Sequence, residues 1–219
     1  MFKGIREFFS TQKQRSLEKS GDVLKTLLTT KDQRLEAFES IESAKPEWAI
    51  PQLLKRLEIT VDHGIQDKVE KERVLEFVTK HKSLTKPVIL DKIPKSKKIS
   101  WMLRVSERVL EPEEYLDILL ENLRPESLDF DDDALERNIE VLLALKEIKN
   151  PKIGERVLPY LKSRHGEVRL AAVECMEAQA QESVELRKVL IEMAGQTKSD
   201  ENSRLLGVLQ TMISKNAWT

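Results

Sequence analysis

The chain has 219 residues, 34% charged and 40% hydrophobic, with 7 Gly, 8 Pro and 5% aromatics. That balance suits long exposed helices around an aliphatic core and argues against a β-rich fold, which needs more turn, β-branched and aromatic residues. A formal net charge of −1 argues against a globally basic nucleic-acid binder, and the single cysteine, Cys175, excludes an intramolecular disulfide or a cysteine metal cage.

At the N-terminus, Met1, Phe2, Ile5, Phe8 and Phe9 make one apolar face on a short basic helix. It reads as a cap folded onto the following elements, with a membrane-surface anchor or a partner-binding helix as the alternative. Residues 14–21 read as a mobile connection, and residues 1–30 together as N-terminal amphipathic capping helices. The opening segment lacks an apolar run long enough for a secretory signal. No stretch approaches the ~20 apolar residues of a membrane span, so a cytoplasmic protein is expected.

From residue 31 a helix pair recurs. Its first helices carry Ala37, Ser40 and Ile41; then Val69, Arg73, Glu76 and Phe77; then Met102, Ser106, Val109 and Leu110; then Leu135, Ile139, Leu142 and Leu143; then Val168, Ala172, Cys175 and Met176. The last three sets repeat every 33 residues at i, i+4, i+7 and i+8, one face of a helix. Second amphipathic helices follow, through Ile50, Leu53, Leu54 and Leu57; residues 83–93; Leu116, Leu119, Leu120 and Leu123; Ile153, Val157, Leu158 and Leu161; and Leu186, Val189, Leu190 and Met193. Pro46, Pro112 and Pro151 stand at or near the starts of second helices, where a missing N–H costs nothing. Asn150 suits an N-cap, and Asp131, Asp132 and Asp133 suit the positive end of a helix beginning near Ala134. Leu205, Val208, Leu209 and Met212 form a last stripe outside the repeat register, as an atypical C-terminal cap would.

The run Leu158-Pro159-Tyr160-Leu161, followed after a polar turn by Val168-Arg169, Ala172 and Met176, resembles a HEAT repeat. Ile50-Pro51-Gln52-Leu53-Leu54 is a second echo. The resemblance spans about residues 31–194. It implies an all-α, armadillo-like α-solenoid of about five to six helix pairs over residues 31–219. It further implies a right-handed curve with first helices convex and second helices concave. It implies no particular job, since HEAT arrays serve many.

The expected function is therefore a protein-interaction scaffold or adaptor, not an enzyme, holding another protein along the concave face. Lys55, Arg56, Glu114, Asp117, Glu121, Arg156 and Lys188 are the polar second-helix residues that would line it. Charge is segregated: residues 80–104 carry eight Lys/Arg against Asp91, and residues 111–136 carry eleven acids against Arg124. Lys92, Lys95, Lys97 and Lys98 carry the alternative, nucleic-acid binding, including a DNA-glycosylase-like HEAT protein. Trp101 is the aromatic near them, a poor base-stacking platform.

Other chemistry has plainer explanations. Asp129, Asp131, Asp133 and Glu140 match calcium-loop spacing, but Ala134 stands where the turn needs Gly, so they read as helix N-terminal acids. His63, His81 and His165 lie in separate turns without ligand spacing. Cys175 reads as a small core residue. No catalytic, cofactor or metal residue is assigned.

Overall fold

The computed structural model describes residues 2–125, 132–197 and 199–218, with side chains for residues 11–125, 132–197 and 202–218. Among the described residues the chain is all α, without strands. The helices are α1 (Phe2–Lys25), α2 (Lys31–Glu42), α3 (Pro46–Leu53), α4 (Gly64–Lys80), α5 (Lys82–Lys92), α6 (Ser100–Val109), α7 (Pro112–Asn122), α8 (Asp132–Leu145), α9 (Pro151–Val157), α10 (Gly166–Ala180), α11 (Val184–Gln196) and α12 (Ser199–Lys215). Tight 3-10 turns at Leu54–Glu58, Ile93–Lys95 and Leu158–Lys162 prolong α3, α5 and α9. The chain divides into two compact units, residues 1–112 and 113–219. No helix is long and apolar enough to cross a membrane, among the described residues.

The proline expectations hold. Pro46, Pro112 and Pro151 open α3, α7 and α9. The Asn150 side chain accepts a 3.0 Å bond from the Lys152 amide and caps α9. Asp132 and Asp133 lie in the first turn of α8, while Asp131 and Asp129 fall outside the described residues.

In the first unit, α1 packs on α2 and α3, α3 on α5, and α4 on α5 and α6. Ion pairs join alternate helices at nearly one sequence interval. Glu42–Arg73 and Glu72–Arg104 link α2, α4 and α6. Asp22–Lys55, Lys25–Glu58 and Glu58–Lys92 link α1, the 54–58 turn and α5. Burial alone would push the Glu58 carboxyl up, but hydrogen bonds from Lys25 and Lys92 outweigh it and hold it low.

The interior of this unit holds a charged cluster. Arg56, wholly buried, donates through Nη2 to Asp67 Oδ1 and through Nε to Glu70 Oε2, both at 2.7 Å. Arg34 Nε reaches both Glu70 oxygens at 3.0 Å, and Lys71 Nζ lies 2.7 Å from Asp67 Oδ2. Further bonds reach the connection between α3 and α4. Arg56 Nη1 donates to the Ile59 carbonyl, and the Val61 amide donates to Asp67 Oδ1. Five buried charges thus tie α2, the 54–58 turn and α4 together, each hydrogen-bonded as a buried charge must be. Burial pushes the Asp67 and Glu70 carboxyls up, yet their hydrogen bonds leave both below the ordinary carboxylate value. Burial lowers the Lys71 ammonium despite Asp67.

In the second unit α10 is central, packed on α8, α9, α11 and α12. Its Val168, Ala172, Cys175 and Met176 are fully buried. Burial pushes the Cys175 thiol up to about 12, which suppresses the reactive thiolate. Lys146–Glu174 joins α8 to α10, Glu167–Arg204 and Glu177–Lys215 join α10 to α12, and Lys152–Asp117 joins α9 to α7. Over both units these hydrogen-bonded pairs lie 28 to 38 residues apart, around the 33-residue spacing of the sequence.

Three expectations are corrected. Residues 14–21 are no mobile connection but part of α1, because Leu17 and Leu24 are buried and Gly21 lies against Gln52 and Lys55. In α4 the inward face is Asp67, Glu70, Lys71, Val74, Leu75 and Val78, while Val69 and Glu76 are exposed and Arg73 and Phe77 half-buried. Arg73 lies over the Phe38 ring at 4.9 Å instead of entering the core. In α8 the inward face is Ala134, Arg137, Asn138, Val141, Leu142 and Leu145, leaving Leu143 exposed and Leu135 and Ile139 half-buried. Both stripes were displaced for one reason: charged or amide side chains occupy buried positions.

Candidate binding groove

The candidate site lies in the second unit, between α7 and α9. Asp117, Leu120 and Glu121 stand at i, i+3 and i+4 on α7, so they share one face. Lys152, Glu155 and Arg156 repeat that spacing on α9. The six line an open groove of about 530 Å³. Lys152 Nζ lies 3.7 Å from Asp117 Oδ1 across it, and both side chains are more than half exposed. Glu121, Glu155 and Arg156 make no hydrogen bond or ion pair with any described residue. They are charges held on helices and left to solvent.

The groove continues into an adjoining hollow of about 410 Å³ that shares Glu155 and Arg156 and adds Leu123, Pro125, Pro159 and Tyr160. Its shape depends on the segment after α7. The Asn138 side chain accepts from the Arg124 amide at 2.8 Å and donates to the Arg124 carbonyl at 2.9 Å, as a neighbouring strand would. The Tyr160 hydroxyl donates to the same carbonyl at 2.9 Å. Asn122, which accepts from Arg137 Nη1, holds the end of α7 by donating to the Ile118 carbonyl. Pro125 and Leu123 are therefore set by buried side chains of α8 and the 158–162 turn. The surface has a charged half and an apolar half side by side.

Of the expected partner-binding residues, Asp117, Glu121 and Arg156 come together here. Glu114 is half-exposed on α7, and Lys188 is exposed on α11. Arg56 is corrected: it lies wholly inside the first unit and faces no partner. Lys55 is paired with Asp22. Of the four lysines read for nucleic acid, Lys92 is paired with Glu58 and Lys95 with Asp91, and Lys95, Lys97 and Lys98 are exposed. Sequence reading missed Lys152, Glu155, Pro125 and Tyr160, although the shared spacing of 152, 155 and 156 was a signal. Among the described residues no three His, Cys, Asp or Glu side chains are grouped to hold a metal ion.

In comparisons with protein-family models, curated proteins and solved structures, nothing matches this chain.

Proposed function

We propose that the chain is a HEAT-like helical-repeat scaffold that holds a peptide segment of another protein in the groove between α7 and α9. The observation that carries this reading is the groove's pairing of unengaged charges on two rigid helices with an apolar hollow alongside. Glu121 and Asp117 suit a basic side chain of the segment. Leu123, Pro125, Pro159 and Tyr160 suit an apolar anchor about one helical turn away. Helix-borne charges favour the right partner and register more than they add affinity, and the anchor supplies the burial. The helix-pair repetition, the proline positions and the ion pairs between alternate helices support the HEAT-like reading. The nucleic-acid reading loses support, since Lys92 and Lys95 already have acidic partners.

Selection of a displayed random-peptide library on the full chain tests the proposal. Enriched peptides should carry a basic residue near an apolar one. They should lose at least about tenfold in affinity, roughly 1.4 kcal/mol, on the Glu121→Lys, Arg156→Glu double variant. Peptides that bind that variant as well as the wild type would remove the groove from consideration.

A further inference from the structure

Among the described residues, eight large apolar side chains are left exposed, and five of them lie in one region of the first unit. These are Leu27, Leu28, Leu35, Ile65 and Val69, at 61%, 94%, 44%, 87% and 57% exposure. Their convergence follows from the helix arrangement. The starts of α2 and α4 meet at one hollow, lined by Thr30 and Lys31 from the first and by His63 and Gln66 from the second. Farther along both helices Glu42 pairs with Arg73, so α2 and α4 run side by side in the same direction. Arg34 and Glu70 face each other between them. Leu35 follows Arg34 and Val69 precedes Glu70. In parallel helices, one step forward on one and one step back on the other turn both side chains to the same outer side. Ile65 stands one turn before Val69 on that side. Leu27 lines the shared hollow, and Leu28 stands in sequence between two lining residues, Leu27 and Thr29. The five leave roughly 500–600 Å² of apolar side chain in water, the upper end of what an ordinary monomer exposes.

We propose that this face pairs with the same face of a second copy of the chain, forming a two-fold homodimer. A two-fold interface must be self-complementary, and this face has the means. Leu28 and Ile65 are the most exposed of the five, and their sequence neighbours Leu27 and Gln66 line a recess of about 480 Å³. The rim mixes exposed Lys31 and Lys68 with exposed Asp32, Glu36 and Asp62, so a rotated copy presents charges of both signs to it. Those three acids would be repelled by an anionic lipid surface. Patch and rim together approach the ~800 Å² per partner of a standard interface.

Sedimentation equilibrium of the full chain over about 1 to 200 µM tests this, at about 0.3 M salt so that exposed long-range charge is screened. The expected result is a rise from one chain mass towards two. Leu28→Glu with Ile65→Glu should weaken association at least about 100-fold, since each buries an unpaired charge at the interface. Leu143→Glu, at an exposed apolar position of the second unit, should leave it unchanged. The double variant should fold, because both sites are solvated and an acid at position 65 sits in the first turn of α4. Unchanged circular dichroism and melting verify that, and Leu28→Ser with Ile65→Ser should dissociate in the same sense. A wild-type chain that stays monomeric throughout, a dimer that survives both pairs of substitutions, or equal disruption by Leu143→Glu would overturn the proposal.

Discussion

At the scale of single residues, the most consequential side chain is Arg56. It is fully buried and holds Asp67 and Glu70 at once. A buried ion pair adds little net stability over a well-packed apolar substitute, but removing one member strands the other. Arg56→Met leaves two carboxylates facing a thioether. The expected loss is about 3–5 kcal/mol, measured by urea denaturation. The same variant should alter the acid limb. In the native protein the Asp67 and Glu70 carboxyls lie below their unfolded values. Their contribution is therefore present above the ordinary carboxylate range, about pH 4, and is lost as pH falls through the lowered folded-state values. Without Arg56 both carboxyls rise towards or above their unfolded values, so the melting temperature should fall less on acidification than in the wild type, and the gap between the two proteins should narrow as pH drops below about 4. Superimposable pH profiles would show that Arg56 does not hold these groups ionised.

At the scale of elements, close approach matters more than the visible ion pairs. A Cβ on Gly21 would sit 2.4 Å from Gln52 Oε1 and 3.0 Å from Gln52 Cβ, where α1 crosses α3. The Gln52 amide end can swing away, but its Cβ cannot. Gly21→Val should therefore destabilise by about 1–3 kcal/mol through overpacking. Gly207 in α12 has nothing within 4 Å of such a Cβ. There Gly207→Ala should stabilise by about 0.4–1 kcal/mol, because alanine has less backbone freedom to lose. Opposite signs in thermal melts of the two variants are the expected result. The exposed pairs between alternate helices, such as Arg204–Glu167, are individually worth about 0–1 kcal/mol. Their value is as markers of which helices adjoin. The periodic reading succeeded for α6 and α10, whose inward faces are almost wholly apolar. It failed for α4 and α8, where Asp67, Glu70, Lys71, Arg137 and Asn138 fill inward positions. A hydrophobic pattern cannot register a buried charge, because burial becomes tolerable through partners on other elements, such as Arg56 for Glu70 and Asn122 for Arg137.

At the scale of the molecule, near-neutrality conceals a division. Residues 1–112 hold 23 Lys/Arg against 17 Asp/Glu, a net +6, and residues 113–219 hold 14 against 21, a net −7. Opposite signs on two units of one chain favour attraction between molecules at low ionic strength, and salt screens it. Light scattering should accordingly give a second virial coefficient that rises from about 20 mM to about 300 mM salt. Pairing through Leu28 and Ile65 should respond in the opposite sense, since it brings two +6 units together and gains from screening. A coefficient insensitive to salt would mean that the charge division has no long-range effect.

The sequence alone determined the helical class and the proline-led starts of α3, α7 and α9. These depend on local propensity and on spacing within one helix, which sequence order expresses directly. It also determined that Asp117, Glu121 and Arg156 were polar members of amphipathic helices. Only the tertiary structure decided that these three share a groove while Arg56 lies in the interior. It likewise decided that Val69, Leu35 and Leu27 are left exposed. Which charge is buried depends on partners on other elements, 11 to 36 residues away for Arg56 and Arg34, brought close by helix packing.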